Sequence, residues 1–164
     1  MNNNFGIQRA TVLAVAMFAL CGVSVFAQNT AMNQRKPVIA DQDLVIQVAD
    51  ITENALFYPV DIDGTRMEVL AVKAPDGTIR TAFNTCQVCY NSGKGHFVQT
   101  GTVLICQNCG NRYRMIQVER QAGGCNPVPI FPENKTVTAS TITISRDYLR
   151  QARGMFASWR RGRS

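Results

Sequence analysis

Five cysteines within forty residues are the side chains of this sequence best suited to chemistry. Cys86 and Cys89 form one Cys-x-x-Cys pair, and after sixteen intervening residues Cys106 and Cys109 form a second. Two such pairs separated by a loop have the spacing of a tetrahedral four-thiolate metal site. The fifth, Cys125, stands between Gly-Gly and Asn-Pro, where the backbone can approach a ligand closely. The sequence therefore predicts a sulfur-lined metal site, with Cys125 either as a ligand or as a buried free thiol.

The spacing of the cysteines does not choose the metal. A cage of four sulfurs suits zinc, a single iron or an iron–sulfur cluster. In each case the backbone N–H groups of a Cys-x-x-Cys turn point toward the sulfurs and stabilise their charge. Gly110 after Cys109 suits the positive φ that closes such a turn, whereas Tyr90 after Cys89 makes the first turn a weaker match. His96, the single histidine, could be a ligand near the cage but is predicted to be a surface or packing residue.

The chain begins with a segment typical of export. Residues 10–27 are uncharged and mostly apolar, and Val-Phe-Ala at residues 25–27 suits cleavage by a signal peptidase. The run is short beside the about 20 residues of a spanning helix, so we expect residues 1–27 to be a signal peptide or a membrane anchor. Leu20 before Cys21 does not suit a lipoprotein signal. We therefore expect an exported protein, periplasmic or at the periplasmic face of the inner membrane, where unprotected thiols tend to oxidise.

Charge is unevenly distributed along the 164 residues, whose net charge is +6. Residues 28–76 carry four basic and eight acidic side chains, and residues 77–164 carry twelve basic and three acidic ones. The cysteine-bearing half is therefore cationic. This half is interpreted either as a solvated surface or as a docking face for an acidic partner or a membrane surface. An exported protein is not expected to meet nucleic acid.

Hydrophobic alternation predicts a β-rich domain over residues 42–156. Asp-Gly turns at residues 63–64 and 76–77 favour hairpins between neighbouring strands. The predicted strands cover residues 44–48, 56–62, 67–72, 78–83, 96–99, 102–105, 111–118 and 136–144.

One helix is predicted after the last strand. Ser145 is its expected N-cap, the helix covers residues 146–153, and Gly154 is expected to end it. Residues 28–41 are expected to be a tether and residues 157–164 a basic tail. The predicted fold class is therefore mainly β, with zinc-ribbon or rubredoxin-like cysteine turns, one short C-terminal helix and the N-terminal signal or anchor segment.

The cysteine pairs belong to a longer set of motifs. This set comprises Asp-Gly-Thr-Ile-Arg-Thr-Ala-Phe at residues 76–83, both Cys-x-x-Cys pairs, Tyr90, Lys94-Gly95, Gln99, Gly101, Gly110, and Gly-Gly-Cys-Asn-Pro-Val-Pro at residues 123–129. It resembles the FtrD-like family of membrane iron–sulfur proteins, over roughly residues 42–156. The resemblance implies an iron–sulfur cluster or a single iron, with zinc as the alternative, and a partner that is an iron permease or a membrane redox protein. It implies metal ligands at Cys86, Cys89, Cys106, Cys109 and Cys125.

The sequence departs from the family's pattern in two ways that narrow its predicted function. One apolar segment cannot form a multi-span permease, and the closely spaced four-cysteine run of bacterial ferredoxins is missing. We therefore predict an electron-transfer protein that supports iron uptake, rather than an enzyme. The alternatives are a structural zinc-ribbon-like interaction module, a metal-delivery protein and a thiol–disulfide oxidoreductase. The last lacks the βαβ setting that its Cys-x-x-Cys motif normally has.

Overall fold

A computed structural model describes residues 34–35 and 38–159. The expected signal or anchor segment lies outside these residues, as do the arginines that follow Trp159. Within them the fold is mainly β with one short α-helix near the C terminus, which confirms the predicted fold class. None of the helices in this part of the chain has the length and apolar character needed to cross a bilayer.

The described residues form twelve strands in three sheets. The central sheet has the order β1-β4-β5-β6-β10, with β2 also paired to β4; the other two are β11-β12-β3 and β7-β8-β9. The strands are β1 (Gln34–Arg35), β2 (Ile39–Ala40), β3 (Leu44–Gln47), β4 (Leu56–Ile62), β5 (Thr65–Lys73), β6 (Ile79–Cys86), β7 (Phe97–Thr100), β8 (Val103–Cys106), β9 (Arg112–Arg114), β10 (Pro127–Pro129), β11 (Thr136–Val137) and β12 (Thr141–Ile144).

Alternation along β4, β5 and β6 directs side chains to both faces of the central sheet. Phe57 and Leu70 oppose each other on one face, where they pack with the β7-β8-β9 sheet. Tyr58, Val69 and Phe83 are neighbours on the other face, where they pack with β3, β12 and the C-terminal helix. The central sheet is therefore covered on both faces, and each face has its own hydrophobic core.

The outer edge of β4 explains a proline inside a strand. β1 pairs with residues 56–57 and β2 with residues 60–61, so Pro59 lies between the two short partners. Since proline has no N–H to donate, it is tolerated where the neighbouring strand is interrupted. Both short strands lie within the range expected to be a tether.

Two predicted strands are wrong in part. The strand predicted over residues 136–144 is a hairpin, because β11 and β12 pair with each other across a turn at residues 138–140. The Thr138 hydroxyl accepts hydrogen bonds from backbone N–H groups in that turn and so competes with an extended backbone. The strand predicted over residues 111–118 ends at Arg114, and a 3-10 helix (Met115–Gln117) follows because it buries Met115.

The C-terminal helix begins as predicted but ends differently. The Ser145 hydroxyl accepts a hydrogen bond from the Tyr148 N–H at 3.2 Å, which confirms the N-cap of α1 (Arg146–Gln151). The prediction that Gly154 ends the helix is wrong, because the chain continues through it in a 3-10 helix (Ala152–Phe156). This continuation carries Trp159 into the core, where its ring meets His96 edge-on at a centroid distance of 6.4 Å.

Candidate metal centre

The end of β6 and the start of β10 place two cysteines side by side. Cys86 is the last residue of β6 and pairs with Pro127, so Cys125 comes beside it. Their Sγ atoms are 3.4 Å apart. Strand β10 was not recognisable from its Pro-Val-Pro sequence, because prolines argue against a strand interior. The position of Cys125 is therefore a consequence of sheet pairing.

The turn after β8 holds the second cysteine pair. The Gly110 N–H donates to the Cys106 carbonyl at 2.9 Å, and Gly110 has the predicted positive φ, 73°. The backbone N–H groups of Asn108 and Cys109 donate to the Cys106 sulfur. Such donors stabilise a thiolate and orient it as a ligand.

The turn of the first pair closes further along the chain. A 3-10 helix (Tyr90–Ser92) follows Cys89, and Gly93 takes the positive φ, 73°. Because Gly93 takes the positive φ, the position of Tyr90 does not need a glycine. Gly95 lies against the back of the turn, where a Cβ atom would be only 2.9 Å from the Cys89 carbonyl oxygen.

These turns bring the sulfurs of the five predicted ligands close together. The sulfurs of Cys86, Cys89, Cys106 and Cys125 all lie within 4.8 Å of one another. The Cys109 sulfur is 3.0 Å from that of Cys125. Cys86 and Cys106 are buried, Cys89 and Cys125 are half-buried, and Cys109 is exposed. Metal–sulfur bonds of about 2.3 Å place the corners of a tetrahedron about 3.8 Å apart, so this compact all-sulfur donor set fits a thiolate-bound metal.

Polar residues next to the cysteines fix the loop that carries Cys125. The Gln87 N–H donates to the Asn126 carbonyl at 3.2 Å, and the Gln87 side-chain carbonyl accepts from the Gly123 N–H. The Asn111 side chain donates to the Cys125 carbonyl at 2.8 Å. Gln87 of the first Cys-x-x-Cys turn thus makes two hydrogen bonds with this loop, and Asn111, just after the second turn, makes one. Neither Gln87 nor Asn111 is recognisable from residue type, since only their position beside the cysteines marks them.

A buried ion pair anchors the same loop to β6. The Lys135 ammonium is 2.6 Å from the Glu119 carboxylate, and the two side chains are only 4% and 8% exposed. Glu119 also accepts a hydrogen bond from the Thr81 N–H at 2.6 Å, and Lys135 donates to the Thr81 hydroxyl at 2.8 Å. Because Thr81 lies on the strand that ends at Cys86, this pair fixes the loop relative to the site.

The pKa values of four of the site's thiols are shifted, and not all in the same direction. Burial raises the pKa of Cys89 to about 11 and also raises the pKa values of Cys106 and Cys125. A hydrogen bond from Cys125 lowers the pKa of Cys109 to about 7. Since a metal binds thiolates, the protons of the raised-pKa thiols must leave when it binds. Metal affinity is therefore expected to fall as the pH falls.

The fold and the site define a small β protein whose cysteine cluster suggests a metal-binding protein. Residues 48–156 match the family described as membrane iron-sulfur containing protein FtrD-like, and the chain belongs to this family. The matched residues include the five cysteines of the site, which confirms the resemblance that the motifs indicate. Neither the comparison with curated proteins nor the one with solved structures found a match.

Proposed function

We propose that this protein is an exported, membrane-associated electron carrier whose centre is iron held by cysteine thiolates, and that it supports iron uptake. The observation that carries the proposal is the convergence of the cysteine sulfurs, four of them within 4.8 Å of one another. Membership of a family described as membrane iron–sulfur proteins supports iron as the metal. Iron held by thiolates changes its charge by one electron, whereas zinc has no redox chemistry.

The compactness of the site favours one ion over a cluster. An iron–sulfur cluster bonds its cysteines to different irons, so those sulfurs lie further apart than the ligands of a single ion. The four sulfurs here span no more than 4.8 Å, close to the edge of one tetrahedron. A single iron is therefore the form that the geometry supports best, and a cluster is the form that the family description names.

The exposed edge of the site supports contact with a redox partner. Cys109 is exposed, and so are its neighbours Gln107, Asn108 and Asn111. Val88, between the cysteines of the first pair, is 65% exposed. None of these side chains carries an ionised group apart from the thiol itself, so a partner docking here would desolvate little charge. We propose that this partner is an iron permease component or another membrane redox protein.

Purification of the full chain from membranes without added metal tests the proposal. We expect a coloured protein with sulfur-to-iron charge-transfer absorption, about one iron per chain, no acid-labile sulfide and reversible one-electron reduction. Acid-labile sulfide in amounts equal to iron would instead identify a cluster. The Cys86→Ser variant should lose the colour, whereas Cys21→Ser, which leaves the five site cysteines intact, should keep it. A colourless wild type with no iron would contradict the proposal.

A structural zinc site is the second candidate, and one observation favours it. Cys86 and Cys106 are buried within the same hydrophobic cluster as Phe97 and Leu104. An ion bound there would join β6 to the β7-β8-β9 sheet, so that its binding energy would stabilise the fold. A colourless protein with one tightly held zinc, whose removal unfolds the chain, would establish this function.

Export is tested separately by cell fractionation. We expect the protein in the membrane or periplasmic fraction, with its cysteine domain accessible to protease added outside the inner membrane. A domain that stays protected until the inner membrane is broken would contradict export.

A further inference from the structure

Two different sets of four cysteines could hold the metal. The sequence pattern pairs Cys86 and Cys89 with Cys106 and Cys109, and leaves Cys125 as the extra sulfur. In the structure, Cys125 takes the place of Cys109 in the group whose sulfurs are mutually close. We infer that Cys86, Cys89, Cys106 and Cys125 are the ligands, and that Cys109 is a free thiol through which a disulfide oxidant disables the site. This inference rests on the proposed thiolate metal site, but not on electron transfer.

The backbone around Cys125 supports its role as a ligand. The pairing of β6 with β10 fixes it beside Cys86, and contacts from Gln87 and Asn111 hold its loop on both sides. Asn126, the next residue, is buried, and its side chain donates to backbone carbonyls within the same loop. These contacts hold the half-buried Cys125 in place, with its sulfur 3.4 Å from the sulfur of the buried Cys86.

Cys109 lies on the solvent side of the group. It is the exposed member of the five cysteines, in a turn whose residues 107–110 are all exposed. Its sulfur is nevertheless 3.0 Å from the Cys125 sulfur, which is within reach for bond formation after a small movement. An accessible thiol adjacent to a ligand sulfur can react with an external disulfide and then transfer the bond inward.

The reaction has two steps. The Cys109 sulfur attacks one sulfur of a small-molecule disulfide, which forms a mixed disulfide and releases one thiol. The Cys125 sulfur then attacks the Cys109 sulfur, which closes the Cys109–Cys125 bond and releases the second thiol. The two cysteines lose two electrons, and the oxidant gains them as it becomes two thiols. Those thiols take up the proton of Cys109 and one proton from Cys125 or, where Cys125 is a thiolate, from solvent. The product has only three of the four ligands.

Alkylation mapping of the full wild-type protein loaded with Zn²⁺ tests the ligand assignment. After a short treatment with N-ethylmaleimide, we expect peptide mass spectrometry to find the label on Cys109, with the other four cysteines of the site protected. Labelling of Cys125 with protection of Cys109 would overturn the assignment. Because Zn²⁺ is the probe, a failure of the proposed electron transfer leaves this result unaffected.

Two matched variants extend the test. Cys109→Ser should keep its affinity for Zn²⁺, measured against a chromophoric chelator, within about threefold of the wild type, whereas Cys125→Ser should lose more than about tenfold. The opposite order would overturn the inference, and if Cys125→Ser does not fold, the wild-type label map decides.

Oxidised glutathione tests the reaction itself. Added to the loaded wild type, it should release Zn²⁺ and give a peptide cross-linked between Cys109 and Cys125, and a reductant should reverse both effects. Cys109→Ser should keep its zinc under the same treatment. Equal release of zinc from this variant, or a cross-link that does not include Cys109, would refute the reaction.

Discussion

Replacement of Lys135 by methionine tests how the loop of Cys125 is held in place. The substitution keeps much of the side-chain volume and removes the ammonium that lies 2.6 Å from the Glu119 carboxylate. Both side chains are less than a tenth exposed. The remaining carboxylate would be buried without its counter-charge. Loss of one member of a buried ion pair lowers the free energy of unfolding by about 3–5 kcal/mol. We expect a value near the lower end, because Glu119 keeps its hydrogen bonds to Thr81.

The measurement is urea unfolding of the full chain followed by far-UV circular dichroism, with the bound metal measured in parallel. Arg120→Met is the matched control. Arg120 directly follows Glu119 in the sequence, and it forms an exposed ion pair with Asp76 at 2.8 Å. This control should unfold at nearly the wild-type urea concentration, because solvent screens its charges. The Lys135→Met protein should also lose metal more readily, since Glu119 fixes the loop of Cys125.

A double variant distinguishes the effect of leaving the Glu119 carboxylate unpaired from the effect of losing the packing of the Lys135 side chain. Glu119→Gln combined with Lys135→Met leaves no uncompensated charge, so it should be more stable than Lys135→Met alone. The reasoning would be refuted if Lys135→Met cost less than about 1 kcal/mol, the range of a solvent-exposed pair. It would also be refuted if the double variant were less stable than the single one.

Two further predictions concern backbone space and surface charge. Gly95→Ala should lower the free energy of unfolding by about 1–3 kcal/mol and weaken metal retention, because the new methyl group would lie 2.9 Å from the Cys89 carbonyl oxygen. Gly154→Ala is the control: it has open space around it and should unfold like the wild type in the same urea titration. Asp63 has its pKa lowered, chiefly by a hydrogen bond from Arg150. An aspartate whose pKa is lowered by folding stabilises the folded state at pH values above its ordinary pKa of about 4, and this stabilisation is lost as the pH falls below that value. The difference in unfolding free energy between the wild type and Asp63→Asn should therefore shrink between pH 6 and pH 3. A constant difference across that range would contradict the assignment.

Local sequence signals predicted those elements whose structure is decided by neighbouring residues. The strand expected over residues 56–62 has those bounds, and the Asp-Gly turns at residues 63–64 and 76–77 connect β4, β5 and β6 as hairpins. The side chain of Ser145 supplied a start signal for α1 that needed no tertiary contact. Gly154 failed as a stop signal, because burial of the residues beyond it favours continuation.

The limits of sequence reasoning are clearest at the site. The spacing of the two Cys-x-x-Cys pairs is local, so the turns of Cys86 and Cys106 were predictable. The place of Cys125 depends on β10 pairing with β6, between segments separated by about forty residues, and no local pattern encodes that register. The buried Glu119–Lys135 pair depends on the same tertiary arrangement, so charge counting along the chain could not reveal it.

The sequence separation of the sulfurs determines when the site can be assembled. Cys86 and Cys125 are 39 residues apart, and they meet only after β6 and β10 have paired. A chain that crosses a membrane in an extended form has no such pairing, so it would arrive without its ion. If the chain is exported as proposed, its metal is loaded at the destination, after the central sheet has folded, and the ion must reach the five thiols before dissolved oxygen or a thiol oxidase does.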